Sequence, residues 1–327
     1  MPIAWPEFVS IINANQRFLL TSHIRPDCDA LGSELGMAGV LESLGKQVMI
    51  VNGHATPPNL AFIDPQRRIK TLGTNVVAGE LETIDVLMIL DTSAWAQLGP
   101  MSDVIRATKA RRVLVDHHVG EDDLGATLFK DISAEATGRL VVEAAEQLGV
   151  RLTPEIATPL FAAIATDTGW FRFGSAGSVA YRAAAKLIDA GAKPAVIYRD
   201  LYEQDTLARM KLRGVILSRI ANELDGRLAY THASLADFQQ TGALASDTED
   251  VVNSLLNIAG TQVAVIFVEQ ATGGFKISFR SRSAVDCNQL AAKFGGGGHK
   301  AAAGAFVAGS LETARLQVLD AARAAMT

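Results

Sequence analysis

Cysteine is nearly absent from this sequence: only Cys28 and Cys287 occur, and they form no C-x-x-C pair. This disfavours a disulfide framework or a thiolate zinc site, and is typical of proteins in reducing compartments. No apolar run approaches the ~18 residues of a transmembrane helix. The N-terminal stretch also lacks the basic and then apolar pattern of a secretory signal. We therefore expect a soluble, cytoplasmic protein with no membrane partner.

Positive charge and aromatic side chains are scarce as well. The formal net charge is -5, and aromatic residues make up 6% of the chain. A broad basic surface for long nucleic acid is not expected, because such binding depends on many Lys and Arg contacts with phosphates. Extended base stacking along a strand is not expected either. The composition is compatible with a local pocket for a short anionic ligand of one to a few nucleotides.

Apolar runs alternate with helical patterns in the first half of the chain. The predicted strands cover residues 18–22, 48–51, 86–90 and 113–115, and the predicted helices cover 28–45, 136–149, 155–166 and 176–190. This alternation predicts an α/β fold with a mostly parallel, doubly wound sheet and helices on both faces. At 327 residues the chain is long enough for two domains.

The pattern changes near residue 190. A helix stop and restart at 190–194 leads into a charged, helical stretch over 195–222, and further strands are predicted at 227–232, 262–269 and 275–280. The last two, joined by a glycine-containing turn, predict a hairpin. We expect a metal-binding domain over 1–190, a helical linker over 191–222 and a smaller α/β domain with antiparallel pairing over 223–327. The active site is expected in the cleft between the two domains.

Acids and histidines follow the predicted strands of the first half. They are His23, Asp27 and Asp29 after the first strand, Asp91 after the third, and Asp116, His117 and His118 after the fourth, while Asp167 lies in an apolar helical segment. Ligands of doubly wound sheets bind outside the carboxyl ends of the strands. We therefore expect these side chains to meet at one edge.

Each of these residues also has an ordinary structural explanation. Asp91 could cap a turn, and Asp27 and Asp29 precede a helix whose positive end they would favour. His23 alone could be a hydrogen-bonded structural histidine. The Asp-His-His run at 116–118 fits such explanations least, because its three polar side chains end an apolar strand and need partners. Together the four segments favour a metal site.

Imidazole and carboxylate ligands suit Mn²⁺, Fe²⁺ or Zn²⁺, and the large share of carboxylate favours Mn²⁺. The two-residue separation of Asp27 and Asp29 can direct one carboxylate to each of two ions, which a bridging Asp91 would hold ~3.5–4 Å apart. Such a pair supplies hydroxide near neutral pH and offsets charge on a phosphoryl group. The residues therefore favour hydrolysis of a phosphate ester.

Five runs of sequence resemble, in order, the motifs of a known family. SHIRPDCDALGS, ILDTS, VDHHV and ATDTGWFRF resemble the four motifs of the DHH phosphoesterases. FRSRSAVDCNQLAAKFGGGGHKAAAGAF resembles the glycine-rich signature of the domain that accompanies them. The two-domain layout is most similar to the branch of nano-RNases and pAp phosphatases.

This resemblance implies hydrolysis of very short oligoribonucleotides to mononucleotides, and removal of the 3′-phosphate of 3′-phosphoadenosine 5′-phosphate (pAp), through in-line attack by a hydroxide shared by two metals. The implied metal ligands are His23 and Asp27 on one ion, Asp29, His117 and Asp167 on the other, and Asp91 between them. Asp116 would orient a ligand, and His118 would face the substrate phosphate or the leaving oxygen. Short oligoribonucleotides and pAp would be the substrates, and a homodimer stays open.

In the second domain the resemblance implies a substrate-binding loop. Gly295 to Gly298 would let backbone N–H groups approach an anion, while His299 and Arg280 would hold the phosphate or nucleotide end. The predicted substrate-binding residues are Arg280, Arg282, Gly296, Gly297, Gly298, His299 and Lys300. Two positions depart from the family pattern: Cys28 stands where glycine is usual, and Arg139 stands where an acid is common.

Three other functions are compatible with parts of this pattern. One is a phosphodiesterase for linear or cyclic dinucleotides such as pApA, and another is a nucleotide-binding sensor without turnover. The third is a dinucleotide-dependent oxidoreductase, suggested by the parallel sheet. Against it, no G-x-G-x-x-G follows the first predicted strand.

Overall fold

The computed structural model describes residues 3–120 and 122–326, which divide between Gln204 and Asp205 into two units. The stretch expected as a linker, 191–222, contributes one helix to each unit. Across these residues, no helix combines the length and the apolar character that crossing a bilayer requires.

The first unit consists of six strands and the helices that cover them. Its strands are β1 (Arg17–Thr21), β2 (Gln47–Asn52), β3 (Ile69–Thr71), β4 (Val86–Leu90), β5 (Arg111–Asp116) and β6 (Thr127–Lys130). Its helices are α1 (Trp5–Ala14), α2 (Cys28–Ser43), α3 (Met101–Ala107), α4 (Thr137–Gln147), α5 (Pro154–Asp167), α6 (Ser178–Asp189) and α7 (Pro194–Tyr202). Short 3₁₀ turns lie at Pro58–Ile63, Ala78–Leu81 and Trp95–Gln97.

The strand order is β3-β2-β1-β4-β5-β6, and every neighbouring pair is parallel. This confirms the predicted doubly wound sheet. All five residues of the central strand β4 are buried. Val86 and Met88 face one hydrophobic core, and Leu87 and Ile89 face the other. A strand covered on both faces requires such a continuous apolar run.

Helices α2 and α5 pack against each other through glycines. A Cβ atom on Gly32 would lie 2.4 Å from the carbonyl oxygen of Pro159, and one on Gly36 would lie 2.4 Å from Leu160 Cδ2. Only glycine permits this approach, because real Cβ atoms do not come so close to other heavy atoms. A Cβ on Gly32 would also lie 2.9 Å from Ala163 Cβ, whereas one on Gly39 would lie 2.6 Å from Ile156 Cγ1. Later positions of α2 thus meet earlier positions of α5, so the helices are antiparallel, and the start of α2 lies beside the end of α5.

The second unit contains a separate mixed sheet. Its strands are β7 (Ala221–Glu223), β8 (Leu228–Ala233), β9 (Val263–Glu269), β10 (Phe275–Ser281), β11 (Gly297–Gly298) and β12 (Ala302–Val307). Its helices are α8 (Leu207–Ser218), α9 (Leu235–Thr241), α10 (Val251–Leu255), α11 (Cys287–Ala292) and α12 (Leu311–Ala325). A short 3₁₀ turn lies at Ala245–Thr248.

The sheet order is β11-β12-β10-β9-β8-β7. Strands β9 and β10 form the predicted antiparallel hairpin. The expectation of antiparallel pairing is wrong for β8 and β9, which pair in parallel. Helices α9 and α10 lie between them in sequence, and such a long crossover returns the chain in the same direction. Along β9, Val265 and Phe267 face one core while Ala264 and Ile266 face the other.

Candidate metal centre

The predicted site residues of the first unit lie at the carboxyl ends of three adjacent strands. His23 comes two residues after β1, Asp91 follows β4 directly, and Asp116 ends β5 ahead of His117. Asp91 has a left-handed backbone, with φ of 63°, and its N–H donates to the carbonyl of Val115. Aspartate is one of the few residues that tolerate this conformation. The chain thus turns sharply where the carboxylate is placed.

The two oxygens of Asp91 face different histidines. Asp91 Oδ2 lies 3.5 Å from His23 Nε2, and Asp91 Oδ1 lies 3.5 Å from His117 Nε2. Asp27 Oδ1 lies 3.8 Å from His23 Nε2 on the first side. The Asp91 carboxylate therefore stands between the two histidines, where a bridging ligand would.

Two further carboxylates surround His117. Its Nε2 atom lies 3.7 Å from Asp29 Oδ2 and 3.6 Å from Asp167 Oδ2. Asp29 stands in the first turn of α2 and Asp167 is the last residue of α5, so the glycine contacts between these helices bring the two carboxylates together. Three clusters of ligand atoms, each within 4.8 Å, result: His23, Asp27 and Asp91; Asp29, His117 and Asp167; and Asp91, His117 and His118.

Both histidines present the same ring nitrogen to the carboxylates. His23 Nδ1 lies 3.0 Å from the carbonyl oxygen of Ile24, and His117 Nδ1 lies 3.1 Å from that of Ala134. A carbonyl oxygen can only accept, so each Nδ1 carries a proton, and Nε2 is the ring nitrogen that can offer a lone pair to a metal ion. Metal-bound histidines typically donate their second nitrogen to a carbonyl or carboxylate in this way.

The N-terminus of α4 holds two of the carboxylates in place. The backbone N–H groups of Thr137 and Gly138 donate to Asp29 Oδ2 and Oδ1 over 2.7 and 2.9 Å. The Thr137 hydroxyl donates to Asp91 Oδ1 over 2.8 Å. Sequence reasoning missed both residues. The available signal was a Thr-Gly pair at the start of a predicted helix, where N–H groups lack intrahelical acceptors.

Negative charge is concentrated at this centre. Burial and repulsion from Asp91 and Asp167 raise the pKa of Asp29 well above its usual value. Burial raises the pKa of Asp167 to about 6, with repulsion from Asp91 adding to it and His117 opposing it. Burial disfavours protonated His23, but the carboxylates of Asp27 and Asp91 outweigh it and raise the pKa of His23 to about 11. The centre therefore binds protons strongly, as a site built for cations does.

The donor set fits divalent metal ions. Ligand atoms that are each about 2.1 Å from one ion lie roughly 3–3.5 Å apart. The Nε2–oxygen separations of 3.5 to 3.8 Å are close to that range and too long for good hydrogen bonds. Imidazole nitrogen and carboxylate oxygen are the ligands that Mn²⁺, Fe²⁺ and Zn²⁺ accept.

His118 differs from His117 in its surroundings. Its Nδ1 atom lies 2.8 Å from Asp116 Oδ1, and its side chain is 53% exposed whereas that of His117 is 14% exposed. The bond to Asp116 raises the pKa of His118. Burial opposes ionisation of Asp116, but hydrogen bonds led by that from His118 lower the pKa of Asp116 to about 2. Asp116 thus stays ionised and fixes the His118 ring.

A lysine whose side chain is 8% exposed completes this arrangement, and sequence reasoning missed it too. Lys130 Nζ lies 3.2 Å from Asp116 Oδ2 and donates to Ser93 Oγ over 2.7 Å. Its position at the end of the edge strand β6 gives no sequence signal, because that strand was not predicted.

The predicted substrate-binding residues of the second unit occupy β10 and the glycine loop. Arg280 Nε donates to Asn253 Oδ1 over 3.1 Å, while Arg282, His299 and Lys300 are exposed. The N–H of Gly298 donates to Asn288 Oδ1 over 2.9 Å, and that of Gly296 donates to the carbonyl of Ala291. The N–H groups of Gly296 and Gly298 thus already donate hydrogen bonds within the chain.

Close packing accounts for two of the glycines. A Cβ on Gly296 would lie 2.2 Å from the carbonyl oxygen of Gly304, and one on Gly298 would lie 2.6 Å from that of Ala302. The loop therefore needs glycine at these positions to pair with β12. Anion binding by the run stays a prediction.

Comparison with known proteins identifies the family of this chain. Residues 17–164 match the N-terminal domain of the DHH family, and residues 212–327 match the DHHA1 domain. The bifunctional oligoribonuclease and PAP phosphatase NrnA of Thermus thermophilus is 33% identical over 310 residues, which cover 94% of this chain and 90% of that protein. The chain belongs to the DHH family.

Two other known proteins are similar to this chain over nearly its whole length. The Bacillus subtilis protein of the same name is 28% identical, with 92% of each chain covered. Among solved structures, an exopolyphosphatase-related protein from Bacteroides fragilis has a TM-score of 0.83 at 27% identity, covering 97% of this chain and 94% of that one.

The two departures from the DHH pattern have local explanations. Cys28 is buried, and burial raises the pKa of its thiol to about 12, so it is a neutral, small side chain between two aspartates. Arg139 is buried too and lies 3.0 Å from both Asp131 and Glu135, with Glu143 as a further partner. The acids around Arg139 compensate its charge, and none of them belongs to the metal centre.

Proposed function

We propose that this chain is a metal-dependent phosphoesterase that hydrolyses very short oligoribonucleotides to mononucleotides and removes the 3′-phosphate of pAp. The observation that carries the proposal is Asp91, whose two oxygens face His23 and His117 at equal distances. Relatives named for both activities match the chain over most of its length, which supports this substrate class.

The proposed cofactors are two divalent ions, with Mn²⁺ favoured by the share of carboxylate ligands. His23, Asp27 and Asp91 would hold one ion, and Asp29, His117 and Asp167 would hold the other together with Asp91. When bound, such ions make a water molecule more acidic and offset the charge of a phosphoryl group. Asp29 and Asp91, each 2% exposed, would be fixed ligands, because α4 donates hydrogen bonds to both.

We propose His118 as the group that serves the leaving oxygen. Asp116 holds His118 Nδ1, so the outer nitrogen, Nε2, is the one that can carry a proton toward a substrate. The raised pKa of His118 favours the protonated ring that a general acid needs. Asp116 would act as an orienting residue, and Lys130 would hold Asp116 in turn.

For the second unit we propose contacts with the far end of the substrate. Arg280 is suited to a phosphate because Asn253 already orients its guanidinium. The exposed side chains of Arg282, His299 and Lys300 would assist, with Gly296, Gly297 and Gly298 shaping the loop. An acidic chain can handle such short substrates because bound cations would supply positive charge locally. The buried, unpaired cysteines favour a reducing compartment such as the cytoplasm.

A substrate panel tests the proposed specificity. The chain should be supplied with Mn²⁺ and given pAp, pApA, labelled RNA of two to five nucleotides, a longer RNA and pyrophosphate. We expect turnover of pAp and of the short RNAs. Cleavage of the longer RNA or of pyrophosphate at comparable rates would contradict the proposal, and a strict preference for pApA would indicate a dinucleotide phosphodiesterase.

Replacement of Asp91 tests the metal centre. We expect Asp91→Asn to lower hydrolysis of pAp by at least about 100-fold, because a ligand facing both histidines loses its charge. Asp103→Asn, which alters an exposed carboxylate of α3, is the matched control and should keep full activity. Circular dichroism of both variants checks the fold. Substantial residual activity of folded Asp91→Asn in excess Mn²⁺ would refute the two-ion assignment.

A further inference from the structure

Three consecutive residues just after Asp167 have left-handed backbones. The φ angles are 56° at Gly169, 60° at Trp170 and 60° at Phe171. L-residues with bulky side chains rarely adopt this conformation, and two aromatic ones in succession are a marked departure. Hydrogen bonds hold the turn: the N–H of Trp170 donates to the carbonyl of Ala165, and that of Phe171 donates to Thr168 Oγ1. Strained backbone of this kind concentrates at functional sites.

The turn places its aromatic rings against others from neighbouring helices. The Trp170 ring centroid lies 5.0 Å from that of Tyr198 and 5.9 Å from that of Tyr202, both on α7. The Phe171 centroid lies 5.2 Å from that of Tyr181 on α6. These ring contacts restrict the motion of the three tyrosine rings.

Exposed aromatic rings are concentrated around this turn. Phe173, Tyr181, Tyr198 and Tyr202 are 55%, 54%, 39% and 48% exposed, and we call these four residues the aromatic surface. Within the described residues, the only other Phe, Tyr or Trp exposed to this degree is Phe306 in the second unit. In a chain with 6% aromatic residues, this clustering is not explained by core packing.

The aromatic surface borders the metal centre. Phe173 lies over Gly169, two residues from Asp167, since a Cβ on Gly169 would be 2.4 Å from Phe173 Cζ. On the other side of the turn, Trp170 lies three residues after Asp167, and its N–H donates to the carbonyl of Ala165 in α5, the helix that ends at Asp167. The Trp170 ring in turn contacts Tyr198 and Tyr202. The aromatic surface is therefore built on the segment that carries a proposed ligand.

Arg172 adds a positive charge within the same turn. Its Nε donates to the carbonyl oxygen of Gly169 over 2.7 Å, so the guanidinium is anchored beside the aromatic rings. Flat exposed rings together with an arginine are the side chains that bind single-stranded nucleic acid, because bases stack on rings and Arg meets phosphate.

We propose that the aromatic surface is a stacking site for a nucleobase of the substrate, on a nucleotide next to the phosphate that is cleaved. The inference rests on the proposed function for its choice of nucleotides as ligands. Stacking on rings tolerates any base, since every base offers a flat face. The site would favour substrates that carry a base beside the scissile phosphate over phosphate esters that lack one.

A thermodynamic cycle between protein and substrate tests this site. The ligands are pApA and two analogues, each lacking the base of one nucleotide, and the variants are Phe173→Leu and Tyr202→Leu. Loss of one stacked base lowers the affinity for the substrate by about 5- to 150-fold. For the wild type we expect removal of one of the two bases to raise KM by this factor. In at least one of the variants, removal of the same base should have little further effect, because the contact is already lost.

Phe306→Leu is the matched control, since it alters an exposed ring of β12 outside the aromatic surface. It should respond to base removal as the wild type does. Equal KM changes for pApA and both analogues in Phe173→Leu and Tyr202→Leu would overturn the proposal. So would variants that change only the oligomeric state, because the rings would then be covered by a second copy of the chain.

The same experiment separates this proposal from the proposed function. If the wild type binds pApA in Mn²⁺ but does not hydrolyse it, the proposed function fails and the cycle is completed with dissociation constants from calorimetry. A base-dependent difference confined to Phe173→Leu or Tyr202→Leu would still support the stacking site. Absence of any base dependence, or of any pApA binding, would reject it in either case.

Discussion

His117 and His118 are neighbours in sequence with different surroundings. The Nε2 atom of His117 faces three carboxylates, whereas the Nδ1 atom of His118 is bonded to Asp116. Adjacent residues at the end of a strand project in different directions, so one ring can turn toward the centre while the other turns toward solvent. We propose that the pair serves two tasks, with His117 as a metal ligand and His118 beside the substrate.

Alanine substitutions should separate these tasks. His117→Ala removes a ring nitrogen from the ligand cluster, so we expect Mn²⁺ affinity to fall by about 10- to 100-fold or more, measured by calorimetry. His118→Ala should leave Mn²⁺ affinity nearly unchanged and lower kcat by about 100- to 10,000-fold, the usual contribution of a general acid. A similar loss of Mn²⁺ affinity in both variants would contradict the division.

Sequence reasoning found the side chains that approach the centre but, apart from Asp116, not those that hold them. Aspartates and histidines after apolar strands are conspicuous because they are costly to bury without partners. Thr137 and Gly138 act mainly through backbone N–H groups, which every residue except proline carries, so their identities reveal little. The left-handed turn at Gly169 to Phe171 is likewise invisible in sequence, since aromatic residues do not favour that conformation.

Among the elements, α2 and α5 determine how closely Asp29 approaches Asp167. The packing of Gly32 against Pro159 and Ala163 leaves no space for a side chain. Any displacement there is transmitted directly to the first turn of α2, three residues away.

We expect Gly32→Ala to lower the free energy of unfolding by roughly 1–3 kcal/mol, because the added methyl group overlaps a backbone oxygen. Mn²⁺ affinity should fall with it. The control is Gly214→Ala in α8, where a Cβ meets nothing within 4 Å. That substitution should stabilise the chain by about 0.5–1 kcal/mol through helix propensity. Denaturant unfolding measures the free energy of unfolding of both variants. A value for Gly32→Ala equal to that of the wild type would show that the helices separate at little cost.

The elements that the sequence predicted were those with long apolar patterns. The inner strands β1, β2, β4 and β5 and the helices α2, α4, α5 and α6 all appear near their predicted positions. The edge strands β3 and β6 were missed, because they have three and four residues and are not buried on both faces. Short edge strands take their conformation from the neighbouring strand more than from their own residues.

For the whole molecule, the metal centre is a source of instability until cations bind. Burial of its carboxylates, and their mutual repulsion, raise the pKa of Asp29 and Asp167, so the charged groups oppose folding when no cation is bound. Ligands that bind only the folded state stabilise it by about 2.7 kcal/mol at 100 times their Kd.

Addition of Mn²⁺ should therefore raise the melting temperature of the unfolding step that involves the first unit by about 5–10 °C. Asp91→Asn should gain less from Mn²⁺ than the wild type, because the carboxylate that faces both histidines has lost its charge. Differential scanning calorimetry of the full chain with EDTA or Mn²⁺ measures both effects. Equal gains in the two proteins would mean that the ions bind elsewhere.

The hydrogen bonds around α4 have a mechanical consequence. Asp29 ties α2 to the start of α4, Thr137 ties α4 to Asp91 at the end of β4, and β4 lies beside β1, which leads back toward α2. These contacts form a closed ring that connects α2, α4, β4 and β1. A displacement of any one segment would therefore be opposed by the others, so the centre should move as a single rigid unit.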